Sequence, residues 1–285
     1  MIRKLTKEEF PPQLLHIPDP PKDLWLDGNL PPIDTKILCV IGARKHTQYG
    51  KDVCEKLINS LRGKNISIVS GLALGIDSIA HMAAINAGLH TLAVPGSGIG
   101  RDVLYPSTNR RCADTILESG GGLLSEFPPD FVSTPWAFPK RNRIMAALSH
   151  AVLIIEAEQK SGTLITSRLA TDYNRDVLVV PGSIFSKNSE GPHLLLRIGA
   201  TPITSVKDLH EVLGFETLFD TSYKEERYHD CSGKEKEILH ILQDPQPRDE
   251  LIRTLGIPTF EANILLSLLE MKGHIKESLG LLRIT

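Results

Sequence analysis

From Lys36 onward the chain alternates short apolar runs with stretches of helical periodicity. Six runs stand out: ILCVIG (37–42), ISIVSG (66–71), TLAVPG (91–96), GLLSEF (122–127), AVLIIEA (151–157) and VLVVPG (177–182). They are apolar throughout, without period-two alternation, which is the pattern of strands buried on both faces. The segments between them are long enough for crossover helices. The predicted fold class is therefore α/β, an extended Rossmann-like, doubly wound and mostly parallel sheet covering residues 36–215.

The flanks read differently. Residues 1–35 contain PPQLL, PDPPKDL and NLPP, and prolines at that density forbid regular helix and confine any strand to an edge. A proline-rich N-terminal arm follows. Its Leu14, Leu15, Ile17, Leu24 and Trp25 give it enough apolar surface to lie on the main domain instead of remaining a solvated tail. Residues 216–231 are polar and aperiodic, as a linker would be. Residues 232–285 show three helical patterns and then HIKESLGLLRI, which suggests a small winged-helix domain.

Composition narrows the picture without changing it. At 285 residues with a net charge of −2, the chain carries no global basic field, so a nucleic-acid contact has to come from a local patch. Its four cysteines, Cys39, Cys54, Cys112 and Cys231, form no CxxC pair, so neither a zinc site nor a disulfide framework is expected and a reducing cytoplasm fits. The N-terminus, MIRKLTKEEF, has no apolar signal region, and no run approaches the roughly 20 apolar residues of a membrane span. The expectation is a cytoplasmic protein without a membrane partner.

Candidate chemistry lies after the strands. GARKHT, GLALGID, GSGIGRD and GSIFSK follow four of the runs, and ligands of such sheets bind beyond the strand carboxyl ends. Arg44, Lys45, Arg101, Lys140, Arg141, Arg143, Lys160 and Arg168 all fall just after a predicted strand or early in the next helix, so they are expected to converge on one edge. Helices starting near Thr47 and Ile76 would aim N–H groups at a phosphate there. The stretch FPKRNRIMAAL (138–148) is the most pointed signal. Cations at a helix start oppose the macrodipole by up to about 1 kcal/mol each, so an anion is expected beside Lys140, Arg141 and Arg143. Asn142 adds an amide, while Phe138 and Trp136 suit base stacking and core packing equally well. In KSGT, Lys160, Ser161, Gly162 and Thr163 form either an anion cradle or a plain helix cap.

Several chemistries are disfavoured. No GxGxxG follows the first strand and no GxxxxGK[ST] occurs, which argues against dinucleotide and P-loop binding. Asp77, Glu126, Glu156 and Glu158 lie near strand ends but show no pairing in sequence, and His81 reads as a packed helix residue. No catalytic set, no metal site and no cofactor are expected. The terminal domain holds seven basic residues against eight acidic ones, and its third helix has no cation before Lys272, so protein contact is at least as good a reading as duplex docking.

Taken together, IPDPPKDLWLDGNL, VIGARKHTQYG, IVSGLALGID, AVPGSGIGRDVLYPSTNR, LLSEFPP, FPKRNRIMAALSHAVLIIEA, SGTLITSRLA and VPGSIFS…GPHLLLRIGATPI resemble the DprA/Smf family of DNA-processing proteins. The resemblance runs from about residue 17 to 203, with a winged-helix-like tail beyond it. It departs at the start, where many members carry a helical SAM-like domain and here almost nothing precedes the arm. It implies a non-enzymatic protein of natural transformation that binds and protects incoming single-stranded DNA, acts as a homodimer and helps load the RecA recombinase. Carried across, its DNA pocket would be Arg44, Ser70 and Gly71, Lys140 to Arg143, and Lys160 to Thr163. The rival reading is a LOG-like nucleotide N-glycosidase or a nucleotide-binding Rossmann protein. The PGGxGTxxE string of the LOG group is missing, since PGSGIGRD has its opening but neither its Thr nor its Glu.

Overall fold

The computed structural model describes residues 1–215, 230–242, 245–278 and 280–284, and the chain divides into two compact units, Met1–Thr217 and Leu218–Thr285. In the first unit the six apolar runs become β3 (Lys36–Ile41), β4 (Ile66–Ser70), β5 (His90–Ala93), β6 (Gly122–Ser125), β7 (Ala151–Ile154) and β8 (Asp176–Val179). All pair in parallel. Three further strands complete a sheet of nine: β1 (Arg3–Lys4) and β2 (Trp25–Gly28) from the arm, and β9 (Thr201–Pro202) at the far edge. The order is β1-β2-β6-β5-β4-β3-β7-β8-β9, with β2 antiparallel to β6.

That order contains one reversal. The chain steps from β3 outward through β4, β5 and β6, then returns through α4 (Ala137–Leu148) to place β7 on the other side of β3. Diverging connections at β3 and β7 open a crevice above their carboxyl ends.

Burial on both faces follows from the pleat. Leu38 and Val40 of β3 enter one apolar layer with α1 (Gln48–Asn59), α2 (Ile76–Asn86) and α7 (Val206–Val212). Cys39 and Ile41 enter the opposite layer with α4, α5 (Gly162–Asp172) and α6 (Glu190–Arg197). Successive side chains on a strand point to opposite faces, so each strand feeds both layers. Between β5 and β6 lies α3 (Arg110–Glu118).

The arm is part of this core. Leu5, Phe10, Leu14, Ile17, Leu24 and Leu26 are buried in the α4 layer, while Leu15 is exposed. The arm forms no α-helix, only 3-10 turns at Lys7–Glu9 and Pro12–Leu15, and its two strands, β1 and β2, lie at the outer edge of the sheet.

In the second unit, α8 (Gly233–Ile241), α9 (Arg248–Leu255) and α10 (Thr259–Met271) precede an antiparallel pair, β10 (Ile275–Ser278) and β11 (Leu281–Ile284). Ser232 caps α8 in a capping box with Glu235. Ile238, Leu239, Leu251, Leu266, Leu269 and Leu282 form its core, joined by Cys231. Of the linker expected at 216–231, residues 216–229 lie outside the described residues. Phe260, Ile264, Leu268 and Met271 are exposed along α10, a surface without the cations a phosphate contact needs.

Because Leu24 is fully buried, Leu24→Ala should lower the unfolding free energy by about 2–5 kcal/mol. Denaturant titration checks this, and a change below about 0.5 kcal/mol would show the arm to be peripheral to the fold.

Candidate nucleic-acid interface

A cavity of about 460 Å³ occupies the crevice at the β3/β7 reversal. Five segments wall it: the turn after β3 with Arg44 and Lys45, the turn after β4 with Ala73 and Asp77, the α4 residues Phe138, Arg141 and Asn142, the β7–α5 segment from Glu158 through Lys160, Ser161, Gly162 and Thr163, and Asn188. Residues more than a hundred positions apart thus meet because every strand here delivers its carboxyl end to the same edge.

Local bonding fixes those segments. At Gly75, φ is +79°, and a Cβ there would collide with the carbonyls of Ala43 and Arg44, so glycine lets the turn after β4 press against the turn after β3. Asp77 accepts from the N–H of Gly71 at 3.1 Å and of Ala73 at 3.4 Å. Burial pushes its carboxyl upward, opposed by the nearby Arg141 guanidinium. Arg141 is itself buried and donates to the carbonyls of Gly71 and Val94, closing α4 onto the ends of β4 and β5. Its Nε donates to Asn142 Oδ1 at 3.0 Å, and Asn142 Nδ2 reaches the Gly162 carbonyl at 3.4 Å.

Two of the helix starts expected to meet a phosphate are already occupied. Glu156 is buried and accepts from Thr47 N at 2.9 Å and from Thr47 Oγ1, so α1 is closed by the chain's own carboxylate. The first N–H of α2, on Ile76, goes to the Ala43 carbonyl at 3.2 Å. The start of α5 is different. Ser161 accepts from Thr163 N at 3.2 Å, Gly162 is exposed with open space where a Cβ would stand, and both line the cavity. Thr163 N is taken by Ser161 Oγ and Leu164 N by the Ser161 carbonyl at 3.1 Å, so the donor left at this end is the Gly162 N–H, beside Lys160.

The predicted site residues separate into two groups. Arg44, Arg141, Asn142, Lys160, Ser161, Gly162 and Thr163 line the cavity, and Gly71 lines a small adjoining crevice. Ser70, Lys140 and Arg143 do not line either. Ser70 is buried and donates to the Val40 carbonyl at 2.6 Å. Arg143 is buried against Glu126, with its Nε 3.3 Å from Asp19 and Nη1 bonded to the Asp19 carbonyl at 2.6 Å. Lys140 lies 3.4 Å from the same Glu126 and close over the rings of Phe127 and Trp136.

The anion expected beside the α4 cations is thus, for two of them, part of the chain. The helix begins at Ala137, and past its start Lys140 and Arg143 both turn to Glu126 while Arg141 turns to the strand-end carbonyls. Burial pushes the Glu126 carboxyl upward, and Arg143 and Lys140 pull it back. Nothing in the sequence marks Glu126 as their partner, because β6 and the loop after it bring it there from outside the helix. Arg101 is likewise taken up by Asp114.

What remains uncompensated is narrower than the sequence implied. Among the described residues, no carboxylate lies within ion-pair distance of Arg44, Lys45 or Lys160, all exposed around the cavity. Arg44 sits over the Phe138 ring, its guanidinium carbon 5.6 Å from the centroid. Lys45 and Phe138 line the cavity as well, although the resemblance does not place them in the pocket; Lys45 stands in the GARK string and Phe138 opens FPKRNR. His81 is fully buried against Thr91 Oγ1 at 2.7 Å, and burial drives its imidazole down to about 3, so it is neutral.

A family model described as DNA recombination-mediator protein A matches residues 2–214. Protein Smf of Escherichia coli is 35% identical over 274 residues, covering 94% of this chain and 73% of its own. The X-ray structure of DNA processing protein A from Streptococcus pneumoniae superposes with a TM-score of 0.69 at 38% identity, covering 75% of each chain. A structure giving insights into the single-stranded DNA binding mode of DNA processing protein A from Helicobacter pylori superposes with a TM-score of 0.67 at 32% identity over 74% of this chain and 95% of its own.

The division between internal and outward cations has a measurable consequence. Arg143→Met strands the buried Glu126 with only Lys140 and should cost about 3 kcal/mol of stability, with much of it recovered by adding Glu126→Gln. Arg44→Ala should leave stability within about 0.5 kcal/mol of the parent. Thermal or urea unfolding of the three variants decides; an Arg143→Met protein as stable as the parent would remove the structural role.

Proposed function

The chain belongs to the DNA recombination-mediator protein A family, and from that premise we propose that it is a single-stranded DNA-binding protein of natural transformation. The observation that carries the reading is the set of outward cations, Arg44, Lys45 and Lys160, grouped with the open start of α5 around one cavity. A phosphodiester satisfies these together: an oxygen accepts from the Gly162 N–H at the start of α5, and its charge meets three side chains that have no carboxylate of their own. Among neutral or cationic ligands none would.

Binding through phosphates carries little base information, and Phe138, half-exposed beside Arg44, offers a face on which any base can stack. Indifference to sequence suits a protein that must accept whatever strand enters. In this reading the protein is non-enzymatic, covers the incoming strand in the cytoplasm, acts as a homodimer and helps load the RecA recombinase. The similarity to the Helicobacter pylori protein supports the ligand class. Among the described residues no helix is long and apolar enough to cross a membrane.

Arg44→Ala and Lys160→Ala should each weaken binding of an oligothymidine by about 1–3 kcal/mol. Each should also reduce the slope of log affinity against log salt by about 0.7, the value for one lost single-strand phosphate contact. Fluorescence anisotropy over a salt series, with single-stranded and duplex DNA in parallel, tests the proposal. Equal affinity for the two forms, or affinity independent of salt, overturns it. Release of free base from nucleoside monophosphates would point to the N-glycosidase reading instead.

A further inference from the structure

Phe138 does not end the site. Its ring stands between the large cavity and a second, much smaller crevice whose walls include Leu74 and Tyr105. Arg44, Ala73, Phe138 and Arg141 line both, so the two depressions form one continuous surface with Phe138 as the partition. Tyr105 and Leu74 are each 44% exposed. The Tyr105 and Phe138 ring centroids are 5.7 Å apart with their planes inclined by 58°, so the two rings form a step along this surface.

Tyr105 is also held in place by bonds that do not involve its ring. Its N–H donates to Ser97 Oγ at 3.2 Å, and Leu104 beside it is buried. Four residues on, Asn109 donates through Nδ2 to the carbonyls of Leu72 at 2.8 Å and Ala73 at 3.0 Å, tying this segment to the turn after β4. Leu72 adopts a left-handed backbone, φ +58°, which costs a leucine conformational energy and is sustained by its complete burial. The ring itself contributes little to this anchoring. A side chain positioned by its backbone and left exposed is preorganised for a ligand with a planar apolar face.

Resting on the reading of the large cavity as a phosphate site, we propose that Tyr105 is a second base-stacking residue. A nucleobase one position along from the phosphate held at Arg44 lies across the crevice between Tyr105 and Leu74. The strand passes Phe138 on the way, so successive bases are separated by that ring instead of by each other. Stacking of this kind accepts every base, because each has a π face.

The experiment compares an oligothymidine with the same sugar-phosphate chain carrying abasic sites, by anisotropy. Tyr105→Ala should lose about tenfold in affinity for the oligothymidine, the loss expected from one stacked base, and nothing on the abasic chain. Tyr105→Phe should bind as the parent does, and the salt slope of Tyr105→Ala should be unchanged because no phosphate contact is lost. Leu74→Ser, on the opposite wall, gives an independent variant and should show a smaller loss with the same abasic insensitivity. Parental affinity in both Tyr105→Ala and Leu74→Ser, or an equal loss on the abasic chain, overturns the proposal while leaving the phosphate site intact. If the parent protein binds no single-stranded DNA, and Arg44→Ala changes nothing, both readings fail together.

Discussion

A guanidinium taken out of water must find acceptors for its donors, and in this protein that requirement shapes the whole upper edge of the sheet. Arg141 is buried on α4 and satisfies itself on the carbonyls that end β4 and β5, beside the buried carboxyl of Asp77. Burial pushes the guanidinium downward in pKa and Asp77 resists that shift, so the two groups stabilise each other's charged forms. Gly71 belongs to the same constraint, since a Cβ there would fall on the Arg141 guanidinium and the Asp77 carboxylate. With α4 fixed at this height, Phe138 and Asn142 are carried to the rim, and the start of α5 is drawn in through the Gly162 carbonyl.

The same bonding explains why a cluster of cations in sequence is a poor guide to a cluster in space. KRNR looks like one basic patch. In three dimensions a second-turn helical segment fans its side chains around the axis, and each of the three cations meets a different environment: Glu126 and aromatic rings for Lys140, strand-end carbonyls for Arg141, Glu126 and the arm for Arg143. The part of the site legible in the sequence was the part made of turns: Arg44 in GARK and Lys160 to Thr163 in KSGT, where residue type and strand end together dictate placement. What was not legible was compensation. Glu126 and Glu156 sit at strand ends like Glu158 does, yet the first two are spent on Arg143 and on the start of α1, and only contacts between distant segments make that distinction.

The fold was legible for a related reason. Strands buried on both faces have to be apolar at consecutive positions, and no polar residue can be spared for a solvent face, so β3 to β8 were each visible as a run. β2 was not, because WLDG pairs on one side with β6 and on the other with only the two-residue β1, and needs no such continuity. β9 is shorter still. The arm's burial followed from its leucines, but its entry into the sheet as an antiparallel edge depended on β6 being left without an outer neighbour, which is a property of the strand order and not of the arm.

Net charge and local charge then separate cleanly. A chain with a net charge of −2 can hold a polyanion only where its own carboxylates have been drawn elsewhere. At the β3/β7 reversal Glu156 is turned down onto α1 and Glu126 lies outside the cavity with Arg143, while Asp77 lines the cavity with its carboxylate engaged by the backbone after β4. Glu158 stays on the wall as well, together with Arg44, Lys45, Lys160 and the Gly162 end of α5. Each carboxylate removed from the crevice does structural duty in holding the crevice's shape. The positive field at the mouth and the rigidity of its walls are therefore products of the same set of internal bonds, and a substitution that frees one of those carboxylates would loosen the wall and weaken the field together.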